Sequence, residues 1–357
     1  MALVINRNNL NQWVDFTDVL AEVPKANYLL NDLGVFTPEY SSQKTIEIRQ
    51  KVGNAHVLED RNWDERNQTI AGGEVRSLQL KIPHFPLDDA ITPNDVDGQV
   101  AVESLAAAMQ LESVANVRAS KMENLRAAHD LTMEVGRWQL LVDGTIYAPN
   151  GTLRTSYGPT VDFYTEFGIN RTESQITTFA GTADPRAQLE AIRKAVLAGV
   201  RGVAGTARVV ALCGTDYFNA LLANGFVTNT LMSLDVPLSR QLLLGNPEAF
   251  GPNGIYRTVN IFGITFIDAG EAGYDRDGTF VPFIGAKEAR FIPVGIRGAF
   301  KTYFAPANRF STINRRAQGS YWYEYANEKD DLIEIMTEQN FLNAMLYPAS
   351  VVRSWIS

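Results

Sequence analysis

The stretch Thr45-Ile46-Glu47-Ile48-Arg49 alternates apolar and polar residues without a break, and Val75-Arg76-Ser77-Leu78-Gln79-Leu80-Lys81-Ile82 does the same. A strand sends successive side chains to opposite faces, so this period of two predicts two half-buried strands. Between them, from about Lys51 to Gly73, the chain is polar and irregular, with Glu59-Asp60-Arg61-Asn62, Asp64-Glu65-Arg66-Asn67 and Gly72-Gly73. Two alternating strands joined by so long a polar excursion describe an extended two-stranded ribbon. An isolated ribbon is marginal in water, so this one must lie on a neighbour, either in the same chain or in another copy.

Upstream, Trp13, Phe16, Leu20 and Val23 recur at helical spacing, Asn11 offers an N-cap and Pro24 closes the pattern. One amphipathic helix cannot build a domain, so it reads as an arm that packs on something else. Downstream, residues from Asn94 to Asp143 have helical composition with no proline in the run. Leu111, Val114, Met122, Leu125 and Met133 supply an interrupted apolar face, and Glu123 with Arg126 and Glu134 with Arg137 can pair across one turn. Gly98 divides the run into a shorter and a longer helix, and Asp143-Gly144 stops it, glycine tolerating the left-handed conformation there.

Strand signals follow in Thr145-Ile146-Tyr147, the Pro149-Asn150-Gly151 turn and Val161-Asp162-Phe163-Tyr164. Asp184-Pro185 opens a helix to about Val200, Ala207 to Leu212 is a strand, and Gly214-Thr215-Asp216 leads into a second helix through Tyr217, Phe218, Leu221 and Leu222. Helix, strand and helix with short connections predict a compact α/β unit. Beyond Ile255 strand-like segments dominate: Val259 to Ile267, Phe291 to Val294, Tyr321 to Tyr325, Leu332 to Thr337 and Ser350 to Trp355.

The 357 residues, 45% hydrophobic and 20% charged, suit a folded protein of two or three globular units. No stretch reaches the roughly 18 consecutive apolar residues of a membrane helix, and the start, Met1 to Trp13, lacks the pattern of a secretory signal. The tripeptides at Asn67, Asn150 and Asn170 that match the glycosylation pattern therefore carry no weight. One cysteine, Cys213, lies inside an apolar run and reads as a buried structural thiol. The net charge of −8 argues against nucleic-acid binding as the main activity, since that affinity rests on clustered basic residues, and the densest basic spot is only Arg315-Arg316.

Motifs for chemistry fail one by one. His56, His84 and His129 have no metal-ligand spacing. Gly199, Gly202 and Gly205 resemble a phosphate loop but no Gly-Lys-Ser/Thr follows, and the order is helix then strand. Asp88-Asp89, Asp95 with Asp97, Asp275 with Asp277 and Asp330-Asp331 sit beside turn residues, where aspartate caps helices and forms local turns. Asp275-Arg276-Asp277-Gly278 begins like a calcium loop but lacks the later glutamate. The expectation is no catalytic residue, no cofactor and no metal; a cytoplasmic hydrolase using Asp275 and Asp277 is the rival reading.

Several blocks resemble the major capsid protein E family, the lambda-type shell proteins of tailed phages. They are Asp130 to Glu134 with Arg137, Leu141, Gly144 and Ile146; Phe163 to Gly168; Ala211 to Gly214 with Asp216 to Phe218; and Gly263 to Phe266. The most specific are C-terminal: Pro293-Val294-Gly295, Phe300, Thr302 to Ala307, Thr312-Ile313-Asn314 and Thr337 to Asn340. The likeness runs in order from about Leu33 to Arg353, and departs at Arg315-Arg316 and Tyr321-Trp322-Tyr323, where relatives carry glycine and a double tyrosine.

This resemblance implies an α+β fold of the Hong Kong phage-type capsid class, with an N-terminal arm (1–40), an extended E-loop (41–90), a peripheral domain with a long spine helix (91–165), an axial domain (166–300) and C-terminal strands (301–357) that return to the peripheral domain. It implies hexamers and pentamers of the chain tiling an icosahedral shell around double-stranded DNA held without specific binding. Location would be the virion, and the host cytoplasm during assembly. Expected partners are a scaffold and a maturation protease in trans, a portal protein at one vertex and, in some relatives, a decoration protein. Lys51 and Lys81 lie where some proteins of this fold crosslink to asparagine, though surface lysines are the default reading. An encapsulin-type compartment shares the fold and stands as the alternative.

Overall fold

The computed structural model describes residues 14–15, 28–52, 74–95, 114–155, 158–200, 207–228, 256–276, 279–296, 298–326 and 332–357. The two alternating stretches pair as an antiparallel ribbon, Thr45–Val52 with Glu74–Lys81, in register from Thr45 opposite Lys81 to Val52 opposite Glu74. Ile46, Ile48, Leu80 and Ile82 are buried in the main core while Glu47, Arg49, Ser77 and Gln79 face solvent. The neighbour that the ribbon's base needs is thus this chain itself. Residues 53–73 lie outside the described part.

The long helix spans Val114–Asp143, about 45 Å at 1.5 Å per residue. It buries Met122, Leu125, Arg126, His129, Asp130, Glu134, Arg137, Trp138 and Leu141, a stripe at helical spacing that mixes apolar and charged groups. The preceding stretch shows a short 3-10 turn at Pro93–Asp95, while 96–113, with the expected division at Gly98, lies outside the description. Gly144 ends the helix with φ +73, as its position predicts.

A six-stranded sheet runs in the order Thr258–Ile261, Ile264–Asp268, Arg208–Cys213, Glu288–Val294, Val352–Ile356 and Thr172–Ile176. Its central strand is buried from Val209 to Cys213 because both faces are covered. Val209, Ala211 and Cys213 pack with Leu189, Ile192, Val196, Tyr217, Phe218 and Leu221 of the helices Arg186–Gly199 and Thr215–Ala223. Val210 and Leu212 face the other core, with Leu140, Leu141 and Phe163. Period-two alternation is invisible in such a strand, which reads as a continuous apolar run. Two further sheets flank the long helix. One orders Val14–Asp15, Tyr321–Ala326, Ile333–Gln339 and Phe85–Ile91; the other orders Phe341–Met345, Phe300–Phe304 and Thr37–Tyr40.

Three expectations need correction. The predicted arm helix meets a strand at Val14–Asp15, whose partners are Glu324 and Tyr323; the rest of 1–27 lies outside the description. A sheet edge offers unpaired backbone groups, which favours strand addition over an isolated helix that is marginal in water. The strand read through Tyr164 stops at Asp162, which caps the short helix Phe163–Phe167 by accepting from Tyr164 N at 2.9 Å, and Gly168 at φ +60 ends it. The segment Val259 to Ile267 is a hairpin folded at Phe262 (φ 52) and Gly263 (φ 73), the left-handed pair of a tight turn.

Candidate functional site

Side chains that could do chemistry are engaged in holding the fold. Cys213 is fully buried, and burial, with Asp268 nearby, pushes its thiol well above its ordinary range; it is no nucleophile. Gly199 packs against backbone, since a Cβ there would lie 2.5 Å from Ala349 O and Ser350 N. Gly202 and Gly205 lie outside the description, as do His56, Asp97, Asp277 and Asp330-Asp331. Lys121 gathers two of the described carboxylates: its Nζ lies 3.1 Å from Asp89 and 3.6 Å from Asp95, which also accepts from Thr92 N at 2.9 Å. Asp275 stands alone in a two-stranded hairpin opposite Phe280. Among the described residues no group of three His, Cys, Asp or Glu could hold a metal ion.

Two histidines are tied to the C-terminal strands. His84, just past the ribbon, reaches Asn340 Oδ1 at 2.8 Å and the buried Glu338 Oε1 at 3.1 Å. His129 bonds Thr337 Oγ1 at 2.9 Å through Nε2, while the Thr337 hydroxyl donates to Leu87 O at 3.0 Å. The hydroxyl proton is therefore committed elsewhere, so Nε2 must be the donor and His129 cannot act as a base toward Thr337. Burial holds the His129 imidazole down to about 4.

A cluster of buried polar side chains lies beside a cavity of about 600 Å³ between the long helix and the C-terminal strands, walled by Arg126, His129, Asp130, Arg137 and Gln339. Of the two predicted pairs, Glu134 with Arg137 forms at 3.9 Å, while Arg126 lies 3.9 Å from Asp130 on the same helix. Glu134 also accepts from Leu30 N at 2.9 Å and Trp138 Nε1 at 3.0 Å, so this carboxyl ties the segment after the arm to the helix. Its pKa is pushed up to about 7, chiefly by burial and against the pull of Leu30 N–H, Arg137 and Trp138. Sequence reading found the pair but not its third member, because Leu30 contributes only a backbone N–H.

The ribbon and a loop beside the four-stranded sheet are among the exposed parts of the described residues. Asn150 clamps the ribbon to the body: its Oδ1 accepts from Lys81 N and its Nδ2 donates to Gln79 O, both at 3.1 Å. Phe310 is entirely exposed, and Ile313 is 46% exposed on the same loop. No helix of the described residues is long and apolar enough to cross a membrane.

Comparison with known proteins agrees with this distribution of groups. The family model for phage major capsid protein E matches residues 12–354. The major capsid protein of Pseudomonas phage KPP10 is 30% identical over 354 residues, 97% of each chain. The capsid structure of the cyanophage P-SCSP1u aligns with TM-score 0.51 and 10% identity over 94% of this chain and 89% of that one. The mature capsid of bacteriophage PhiM1 aligns with TM-score 0.51 and 10% identity over 94% and 88%. The fold is the Hong Kong phage type, and neither the encapsulin nor the hydrolase reading is favoured. With the family model and a curated relative each spanning nearly its whole length, the chain belongs to the phage major capsid protein E family and is a structural shell protein, not an enzyme.

Proposed function

We propose that copies of this chain assemble as hexamers and pentamers into an icosahedral shell around double-stranded phage DNA, using the arm, the ribbon and the subunit edges as joints. The observation that carries this reading is family membership across residues 12–354 together with a two-stranded ribbon rooted in the body at Ile46, Ile48, Leu80 and Ile82. Residues 1–40 act as the arm, 41–90 as the E-loop, 91–165 as the peripheral domain with its spine helix and 166–300 as the axial domain. Residues 301–357 return to the peripheral domain, apart from the closing strand Val352–Ile356, which pairs within the six-stranded sheet. The subunit is made in the host cytoplasm and ends in the virion.

Extended joints suit this task on energetic grounds. Obligate interfaces of roughly 2,000–5,000 Å² bury much apolar area, but ordering the joining segments offsets most of the gain. Modest net energy per contact lets a misplaced copy leave, while many contacts keep the finished shell closed. A scaffold and a maturation protease act in trans, a portal occupies one vertex, and a decoration protein is an optional addition. Electron microscopy of the full chain made together with its scaffold tests the reading: closed shells with five-fold and six-fold capsomers support it. A discrete small oligomer under those conditions overturns it.

A further inference from the structure

The four-stranded sheet turns one face to the long helix, where Trp322, Ile335 and Ile91 cluster with Met122 and Leu125. The alternate rungs point the other way: Tyr321, Glu338 and Pro86; Tyr323, Met336 and Asp88; Tyr325, Glu334 and Ala90. The loop after Phe304 crosses the first two of these rungs. Asn308 N donates to Glu338 Oε1 at 2.9 Å, and the Arg309 guanidinium sits 4.1 Å over the Tyr323 ring, with Nη2 2.8 Å from Met336 Sδ. Past the loop, the exposed Asp88 and Glu334 border a cleft of about 520 Å³ floored by Ala90, Leu332 and Met336.

The same loop, whose Arg309 touches Met336 of the cleft, holds out Phe310, 100% exposed, and Ile313. It is a fixed projection. Thr312 N and Ile313 N donate to Arg309 O at 3.1 and 2.9 Å, Thr312 Oγ1 donates to Ala307 O at 2.9 Å, and Ala317 N donates to Ser41 O at 2.9 Å. Single exposed apolar side chains are ordinary; here two of them, Phe310 and Ile313, stand on one ordered loop next to exposed cationic groups. Farther along the same loop Arg315 is exposed and opposite in charge to the rim of the cleft, while the Arg316 guanidinium lies over the Tyr40 ring. Phe310 is fully exposed and does not line the cleft of its own chain, so a cleft that takes it belongs to another copy.

We propose that the projection Phe310–Ile313–Arg315 of one copy seats in the Asp88–Glu334 cleft of a neighbouring copy. Projection and cleft share one face, so a rotation axis passing that face brings each loop onto the next copy's cleft and closes a ring. The inference rests on the shell reading and names a joint within it. Charge at the rim fixes the register of the contact, and burial of Phe310 supplies most of its strength.

The chain has one cysteine, Cys213, and it is buried, so introduced thiols report alone. Full-length chain carrying both Ile313→Cys and Ala90→Cys is assembled as wild type is, oxidised, and run on a denaturing gel without reductant. The expected result is a ladder of multiples of 39.5 kDa that neither single-cysteine variant gives. Phe310→Ala should raise the protein concentration for half-assembly by about tenfold or more, the effect of losing one buried anchor. Arg315→Glu and Glu334→Lys should each impair assembly, and the double variant should recover it. Wild-type shells with no ladder, or charge variants whose defects add, sink the joint alone. A wild type that forms no shell with its scaffold sinks the shell reading and the joint with it.

Discussion

Glu134 and His129 sit five residues apart on the long helix and are shifted in opposite senses by the same cause, burial. The carboxyl, raised from 4.5 to about 7, is protonated more readily in the folded chain, so its contribution to stability is greatest below pH 4.5 and is lost as pH rises to about 7. The imidazole, lowered from 6.5 to about 4, resists protonation in the folded chain, so its contribution is full above pH 6.5 and is lost as pH falls to about 4. Each is worth on the order of 3 kcal/mol across its window. Between about pH 4.5 and 6.5 the two slopes oppose one another. Denaturant unfolding of the unassembled subunit should therefore show Glu134→Gln gaining stability as pH rises through that window, and His129→Gln losing it. Parallel profiles for the two variants would remove this account. The sequence shows both residues and the Glu134–Arg137 spacing, but a pKa follows from what covers the helix, and the strands that cover it lie some 200 residues away, as His129 with Thr337 shows.

At the scale of elements, local signals proved legible where one residue decides the outcome. Gly144 is such a case: at φ +73 it takes a conformation that costs other residues about 1–2 kcal/mol, and a Cβ there would stand 2.3 Å from the Tyr164 ring. That ring cannot step aside easily, because the Arg171 guanidinium lies 4.7 Å over it and also bonds Asp143 O. Gly181 has nearly the same φ, +75, with nothing within 4 Å. Gly144→Ala should thus destabilise by about 3 kcal/mol or more and Gly181→Ala by only about 1 kcal/mol, the difference being the clash; equal shifts in midpoint would refute it. The ribbon strands were legible from alternation, yet their fastening was not, since Asn150 reads only as a turn residue. Asn150→Ala removes two hydrogen bonds, worth about 1 kcal/mol or less each at an exposed site. Faster amide exchange in Thr45–Val52 and Glu74–Lys81, with the helix Arg186–Gly199 unchanged, is the expected signature. At Val14–Asp15 the helical reading fails for a related reason: helical spacing at Trp13 and Phe16 carries no information about the open edge at Tyr321–Ala326 that these two residues join.

For the whole molecule, charge decides how a shell wall treats what it encloses. Each copy carries −8, and basic residues such as Arg126, Arg137 and Arg290 are buried. Proteins that grip DNA release counterions, and log affinity falls with log salt by about 0.9 per phosphate contacted. A wall of net acidic subunits has few such contacts to make, so repulsion should let the genome slide during packaging and exit. Purified empty shells should accordingly bind double-stranded DNA weakly, with a salt slope no steeper than that of about one or two phosphate contacts per subunit. Shells of the Arg315→Glu, Glu334→Lys double variant, in which assembly is restored, should leave that slope unchanged, because both charges face a neighbouring copy. Tight binding that salt abolishes steeply would mean that an inner patch grips the genome, and the wall would then be a template for packing rather than a passive container.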